Sequence, residues 1–378
     1  MALPMPTHRP THRPTRRRAA LAALALTTSA ALAGCSLAGG DGESSATDGA
    51  ASSTDGATGG TTEVPTEVVL VTHDSFQLPK RLIAAFEEES GFDLVQRSSG
   101  DAGALTNRLV LTQGNPIGDV AFGVDNTFAS RALDEDVFAE AGFALPPGAE
   151  RFTIEGAEDR LAPIDEGNVC VNVDTAWFEE RDLEPPATFE DLTDPAYADL
   201  FVTPGAPTSS PGLAFLLGTV AEYGDDWPAY WERLMANGAK LTSGWSDAYF
   251  VDFTQGGGGD RPIVLSYDSS PAFTVDGDGT TTQALLDTCV QQVEYAGVLE
   301  GAANPVGAEA VVEWLLSPEV QAALPESMFV FPVAEGTELP ADWARFAERP
   351  TDPYLVDAAE IAENRDEWLT TWTEVTTR

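Results

Sequence analysis

The segment GWSDAYF places an indole, a carboxylate and a phenol, Trp245, Asp247 and Tyr249, within five positions. Further along, LSYDSSPAF sets Tyr267 beside Asp268, and ESMFVFP brings Phe329 and Phe331 together. An aromatic face attracts a cation by about 0.5 to 2 kcal/mol, more as the site is desolvated. A neighbouring carboxylate adds charge complementarity. Together these residue types suit an organic cation with a flat ring better than a sugar or an amino acid, which usually recruit arginine or amide groups. Core packing is the competing account of the aromatics, most readily of Phe331 and Trp314.

Catalytic patterns are scarce. The chain contains no GxSxG, no HExxH, no P-loop, and no GxGxxG after its first predicted strand. His73 is the only histidine beyond residue 35, so a multi-histidine zinc site is not available. A Ser/His/Asp hydrolase built on His73 stays conceivable, although no motif ties it to a particular serine.

These groups need elements to position them. VVLVTHD, FDLVQRS and DVAFGVDN are predicted strands, separated by predicted helices over PKRLIAAFEEESG and GALTNRLVLTQGN. That order implies an α/β architecture with a parallel sheet. Ligands collect where such strands end, and there the sequence places His73, Asp74 and Ser75, then Asp101, then Asp125 and Asn126. Capping of helices by these acids is the alternative. IDEGNVCVNVDTAWF is predicted to leave this first lobe, ATFEDLTDPAYADLFVTPG to form a helix and turn, and SSPGLAFLLGTVAEYG to form a helix capped by Ser210 and ended by Gly224. Its N-terminus, with Ser209 and Ser210, could cradle an anionic group or be a plain cap. VQQVEYAGVL is predicted to return as a strand, followed by helices over AEAVVEWLL and SPEVQAAL; DGDG at 276–279 is read as a turn. The expected layout is lobe 1 over 67–167 plus 290–345, lobe 2 over 168–289 and a C-terminal helical segment over 346–378. A ligand cleft between lobes joined by hinge strands follows.

The ends and the charge set the compartment. The first 35 residues carry five arginines, no acid and a 15-residue apolar run ending in LAGC. This reads as a lipoprotein signal peptide with Cys35 as the lipidated residue, exported by the Sec or the twin-arginine route. Residues 36–66 are a Gly/Ser/Thr tether. The whole chain has a net charge of -41, and removal of the five arginines leaves 15 basic against 61 acidic residues, or -46. Such a surface repels nucleic acid and attracts cations, or else suits high salt. Cys170 and Cys289 are either a disulfide, permitted outside the cytoplasm, or two buried thiols.

VVLVTHDSF, GDAGALTNRL, PTSSPGLAFLL, TSGWSDAYF, IVLSYDSSPAF and WLLSPEVQ, in this order, resemble the periplasmic thiamine-binding proteins of ABC importers, over nearly all of 67–378. The resemblance implies a two-lobed periplasmic-binding-protein fold. It also implies capture of thiamine or its phosphates and delivery to a permease; with Cys35 lipidated, the expected protein is a monomer anchored to the outer face of the cytoplasmic membrane, with no cofactor and no bound metal. Matched by motif, the ligand contacts would be Asp101 and Ala102, Ser209 and Ser210, Trp245, and Tyr267 with Asp268, Ser269 and Ser270. Asp74, Asp125, Tyr249 and Phe329 join them from the residue reading. The chain departs from the family where His73 replaces a tyrosine, where Phe329 replaces a tryptophan, and in the shortened QLPKRL. Receptors for ferric iron or a polyamine are the competing binding proteins, and the absence of a Tyr-Tyr pair counts against iron.

Overall fold

A computed structural model describes residues 66–378. The signal peptide with Cys35, and the tether up to residue 65, lie outside the described residues. From Glu67 the chain follows its hydrophobic spacing. Strand β1 (Glu67–Thr72) buries every residue after the first, as a parallel strand covered on both faces should. Helix α1 (Lys80–Ser90) buries Leu82 and Phe86, one turn apart, and stops at Gly91, whose φ of 74° makes the left-handed cap. Strand β2 (Asp93–Ser98), helix α2 (Ala102–Thr112) and strand β3 (Val120–Asp125) complete a parallel β2-β1-β3 wing.

Strand β4 (Ala162–Asp174) is buried over all 13 residues although it carries Asp165, Glu166, Asn168, Asn172 and Asp174. Buried polar groups need partners, and most have them. Asn168 Nδ2 donates to Asp268 Oδ2 (2.7 Å), Asn172 Nδ2 to the Tyr267 carbonyl (3.1 Å), and Asp174 accepts from the Trp177 N–H (2.9 Å). Glu166 is paired with Arg349. Asp165 meets no donor on either oxygen.

The second wing is β5 (Phe201–Pro204), β6 (Lys240–Thr242) and β7 (Ile263–Tyr267), parallel to one another. DGDG makes the expected turn between β8 (Val275–Asp276) and β9 (Gly279–Thr280). Strand β10 (Thr282–Ala284) pairs with β4, and β11 (Val290–Val298) returns between β3 and β4. The principal sheet thus runs β2-β1-β3-β11-β4-β7-β5-β6, with β12 (Phe331–Pro332) also on β4. Cys170 in β4 and Cys289 before β11 are disulfide-bonded.

Three local expectations change. ATFEDLTDPAYADL forms two 3₁₀ turns, Glu190–Thr193 and Pro195–Tyr197, and FVTP is strand β5. Asp191 accepts from the Ala187 and Thr188 amides (2.9 Å each) and Asp194 from Ala196 (2.8 Å). Side-chain acceptors of this kind compete with a continuing helix. The helix Ser210–Tyr223 is capped at Ser209, not Ser210: Ser209 is extended, and its carbonyl accepts the Leu213 N–H (2.9 Å). SPEVQAAL yields only the short helix Pro318–Gln321 before a second turn, Leu324–Met328. The C-terminal helix Ala358–Thr376 docks by setting Trp372 edge-on to Trp231 (5.5 Å, 80°). Among the described residues no helix is long and apolar enough to cross a membrane.

Candidate functional site

The ends of β1 and β7, the middle of β11, and the N-termini of α2 and the helix Ser210–Tyr223 converge on one pocket. It is partly open to solvent. Trp245 forms part of the wall, stacked on Tyr249 (centroids 5.1 Å, 22°) and edge-on to Tyr267 (6.2 Å, 66°). Its helical turn runs into a π turn, Ala248–Asp252, a geometry concentrated at functional sites. The indole N–H donates to Ser266 Oγ (3.0 Å), itself 2.8 Å from Ser270 Oγ, so the ring orientation is fixed. Opposite, Phe329 packs on Phe273 (4.4 Å). Its φ of 58° is rare for a non-glycine residue, and Ser269 Oγ holds its carbonyl (2.5 Å).

Asp101 joins the two wings. Oδ1 accepts from the Ala102 N–H at the start of α2 (2.6 Å), and Oδ2 accepts from the Trp245 N–H (2.8 Å). Gly244 permits this approach, because a Cβ there would lie 2.9 Å from Asp101 Oδ2. Burial raises the Asp101 pKa above the ordinary carboxylate value, against these two amide donors, Ser209 and His73.

His73 and Glu294 form the floor. His73 Nε2 lies 3.3 Å from Glu294 Oε1, and Nδ1 accepts from the Ser75 N–H (3.2 Å), which in a neutral ring places the hydrogen on Nε2, towards Glu294. The ring packs where Gly123, at φ 100°, has no Cβ; one built there would lie 2.1 Å from His73 Cδ2. Burial lowers the His73 pKa, but Glu294, Asp101 and Asp74 outweigh it and the net shift is upward. Since the Ser75 amide opposes a second ring proton, the geometry favours a neutral His73 more than the surrounding charges alone would. The nitrogens of His73 face the Ser75 amide and Glu294.

Of the residues expected to meet a ligand, Asp101, Ala102, Ser210, Trp245, Tyr249, Tyr267, Ser270 and Phe329 line this pocket. The others do not. Asp74 is exposed and borders a separate surface groove with Ser243 and Asp247. Asp125 lies deeper, where Oδ1 accepts from the Thr127 hydroxyl (2.8 Å) and the Phe128 N–H (3.1 Å); burial pushes its pKa up to about 7. Ser209 is fully buried beside Asp101. Asp268 is held by Asn168 and faces a groove near Pro185 and Arg345. Ser269 acts on Phe329's backbone. Glu294, Met328, Phe250 and Phe273 also line the pocket and were not anticipated. A lone acid inside the otherwise uncharged strand VQQVEYAGV was the available signal for Glu294. Among the described residues no group of three or more His, Cys, Asp or Glu side chains is arranged to hold a metal.

Two wings around an aromatic and acidic pocket define the class: a two-lobed α/β ligand-binding protein of the periplasmic-binding-protein fold. The chain belongs to the bacterial extracellular solute-binding protein family, whose pattern matches residues 115–355. It is 29% identical over 325 residues to the thiamine-binding periplasmic protein of Brucella melitensis, covering 82% of this chain and 92% of the relative. To the protein of the same name from Escherichia coli it is 28% identical, covering 82% and 94%. A solved periplasmic thiamin binding protein superposes with a TM-score of 0.73 at 28% identity, covering 82% of this chain and 96% of that one. A ferric binding protein from Campylobacter jejuni superposes with a TM-score of 0.65 at 16% identity, over 82% and 99%, which speaks to fold alone.

Proposed function

We propose that this protein is an extracytoplasmic receptor that captures thiamine, or a thiamine phosphate, and hands it to an ABC importer permease. One observation carries the reading: a single pocket walled by Trp245, Tyr267, Phe273 and Phe329 contains the carboxyl groups of Asp101 and Glu294 and no lysine or arginine. Thiamine offers two flat rings, one of them permanently cationic. Aromatic faces and carboxyl groups favour both features. The curated relatives, named for thiamine binding over most of their length, support the same ligand. Ser210, at the start of a buried helix, lies where an appended phosphate would meet free amide hydrogens.

Lobe boundaries at 167/168 and 289/290 fit this reading, since β4 and β11 pass between the wings there. Export, and attachment of a monomer to the outer face of the cytoplasmic membrane through Cys35, complete it. Binding without turnover is expected.

Calorimetric titration of the exported chain with thiamine, thiamine monophosphate, thiamine diphosphate, spermidine and Fe(III) tests the ligand. Saturable binding of at least one thiamine form supports the proposal. Binding of spermidine or iron with no thiamine form bound would overturn it. Metabolic labelling with a radioactive fatty acid, lost in Cys35→Ser, tests the anchor.

A further inference from the structure

The middle of the sheet contains more acid than its pocket wall displays. Glu294 on β11 is the register partner of Asp125 on β3 and of Asp165 on β4, so three carboxyl groups cross the sheet in one row. Asp125 and Asp165 are fully buried and Glu294 nearly so. Asp165 is the β4 register partner of Glu294 and meets no N–H or O–H donor on either oxygen. Two carboxyl groups facing each other in a dry interior hold a proton rather than both ionise, because two ionised carboxylates repel.

We propose that Asp165 and Glu294 share a proton in the ligand-free protein, that a cationic ligand expels it, and that Glu294 thereby selects ligands by positive charge. The inference rests on the reading of this pocket as a thiamine site. Glu294 lines the pocket whereas Asp165 lies behind it, so the pair has one member in reach of a ligand. The surroundings hold little that could neutralise both acids. His73 faces Glu294, with Asp101 and Asp74 beyond it. Asp125 adds a third carboxyl from β3, itself pushed up to about 7 by burial, the phenol of Tyr267 donates to Gln292 (3.3 Å), and Tyr295 donates to the Phe152 carbonyl. Glu166 adjoins Asp165 on β4, and Arg349 is already paired with that glutamate. Burial holds the Asp165 carboxyl well above the ordinary range. A thiazolium cannot lose its charge. Placed against Glu294 it supplies the compensation that the second carboxylate lacks, and the shared proton leaves.

Infrared difference spectroscopy of the whole chain reads the proton directly. Saturating thiamine should remove one protonated-carboxyl band that a folded Asp165→Asn variant lacks, whatever band Asp125 contributes remaining in place. A wild-type spectrum from which thiamine removes no protonated-carboxyl band overturns the proposal without any variant having to fold. Glu294→Gln should weaken thiamine at least tenfold and leave an uncharged thiophene analogue of the same shape within about twofold. Equal losses for both ligands would overturn the selection by charge. If thiamine does not bind the wild type at all, the thiamine reading falls together with this one; if it binds and the band is unmoved, only this inference falls.

Discussion

Replacing Trp245 with alanine removes one ring face from the pocket and nothing charged. A cation over a desolvated indole gains up to about 2 kcal/mol, and an aromatic ring stacked on it gains about 0.5 to 1.5 kcal/mol beyond area burial. The expected loss is therefore about 2 to 3 kcal/mol, or roughly thirty- to 150-fold in Kd for thiamine. A second effect must be kept apart. The indole N–H donates to Ser266 Oγ (3.0 Å), and losing that bond costs about 1 kcal/mol of folding stability rather than of binding. Trp245→Phe separates the two, since it keeps an aromatic face and loses the donor; it should bind within about fivefold of wild type. Titration calorimetry gives the affinities, and thermal melting establishes that each variant is folded. A folded Trp245→Ala protein that binds thiamine within about twofold of wild type would refute the aromatic cage.

Four other outcomes follow from the same geometry. Gly244→Ala puts a Cβ 2.9 Å from Asp101 Oδ2, so it should part the Asp101 carboxylate from the Trp245 N–H and weaken thiamine binding by about tenfold in calorimetry. Arg349→Ala leaves the buried Glu166 carboxylate unpaired; since the arginine is itself partly exposed, about 1 to 3 kcal/mol of stability should be lost in urea melts, with partial recovery in Arg349→Lys. Burial raises the folded-state pKa of Asp125 from 3.8 to about 7, so its contribution to stability is full below the unfolded value and is lost as pH rises through about 7. Melting temperature should accordingly fall across that window, and fall less in Asp125→Asn. The Cys170–Cys289 bond spans 119 residues, and on the chain-entropy model its replacement by a Cys170→Ser, Cys289→Ser pair should cost about 4 to 5 kcal/mol in denaturant unfolding.

How much could be read beforehand depended on whether the signal was local. β1, α1, β2, α2 and β3 were legible because each is marked by its own periodicity and by a punctuating Gly91 or Asp101. FVTP was not, since four residues between turns are too few to show a period. Trp245 and Tyr267 were legible in the site because aromatic residues beside acids and turns are conspicuous. Asp125 and Asp268 are expected from the sequence to meet a ligand, yet the structure spends them on Thr127, Phe128 and Asn168. The partnership of Glu294 with His73 and Asp165 is a matter of strand register, and register joins segments whose relation no local pattern encodes.

The disulfide has a mechanical consequence. β4 and β11 lie side by side, clamped at one end by Cys170–Cys289, and their register slips between Glu294 and Tyr295. A bulge leaves one residue unpaired and raises the local twist, so two strands tied covalently at one end are least regularly paired beside the position where Asp165 and Glu294 face each other. A rotation of one wing against the other would meet its weakest ladder there, and would change the spacing of those two carboxyl groups before that of the disulfide-tied residues.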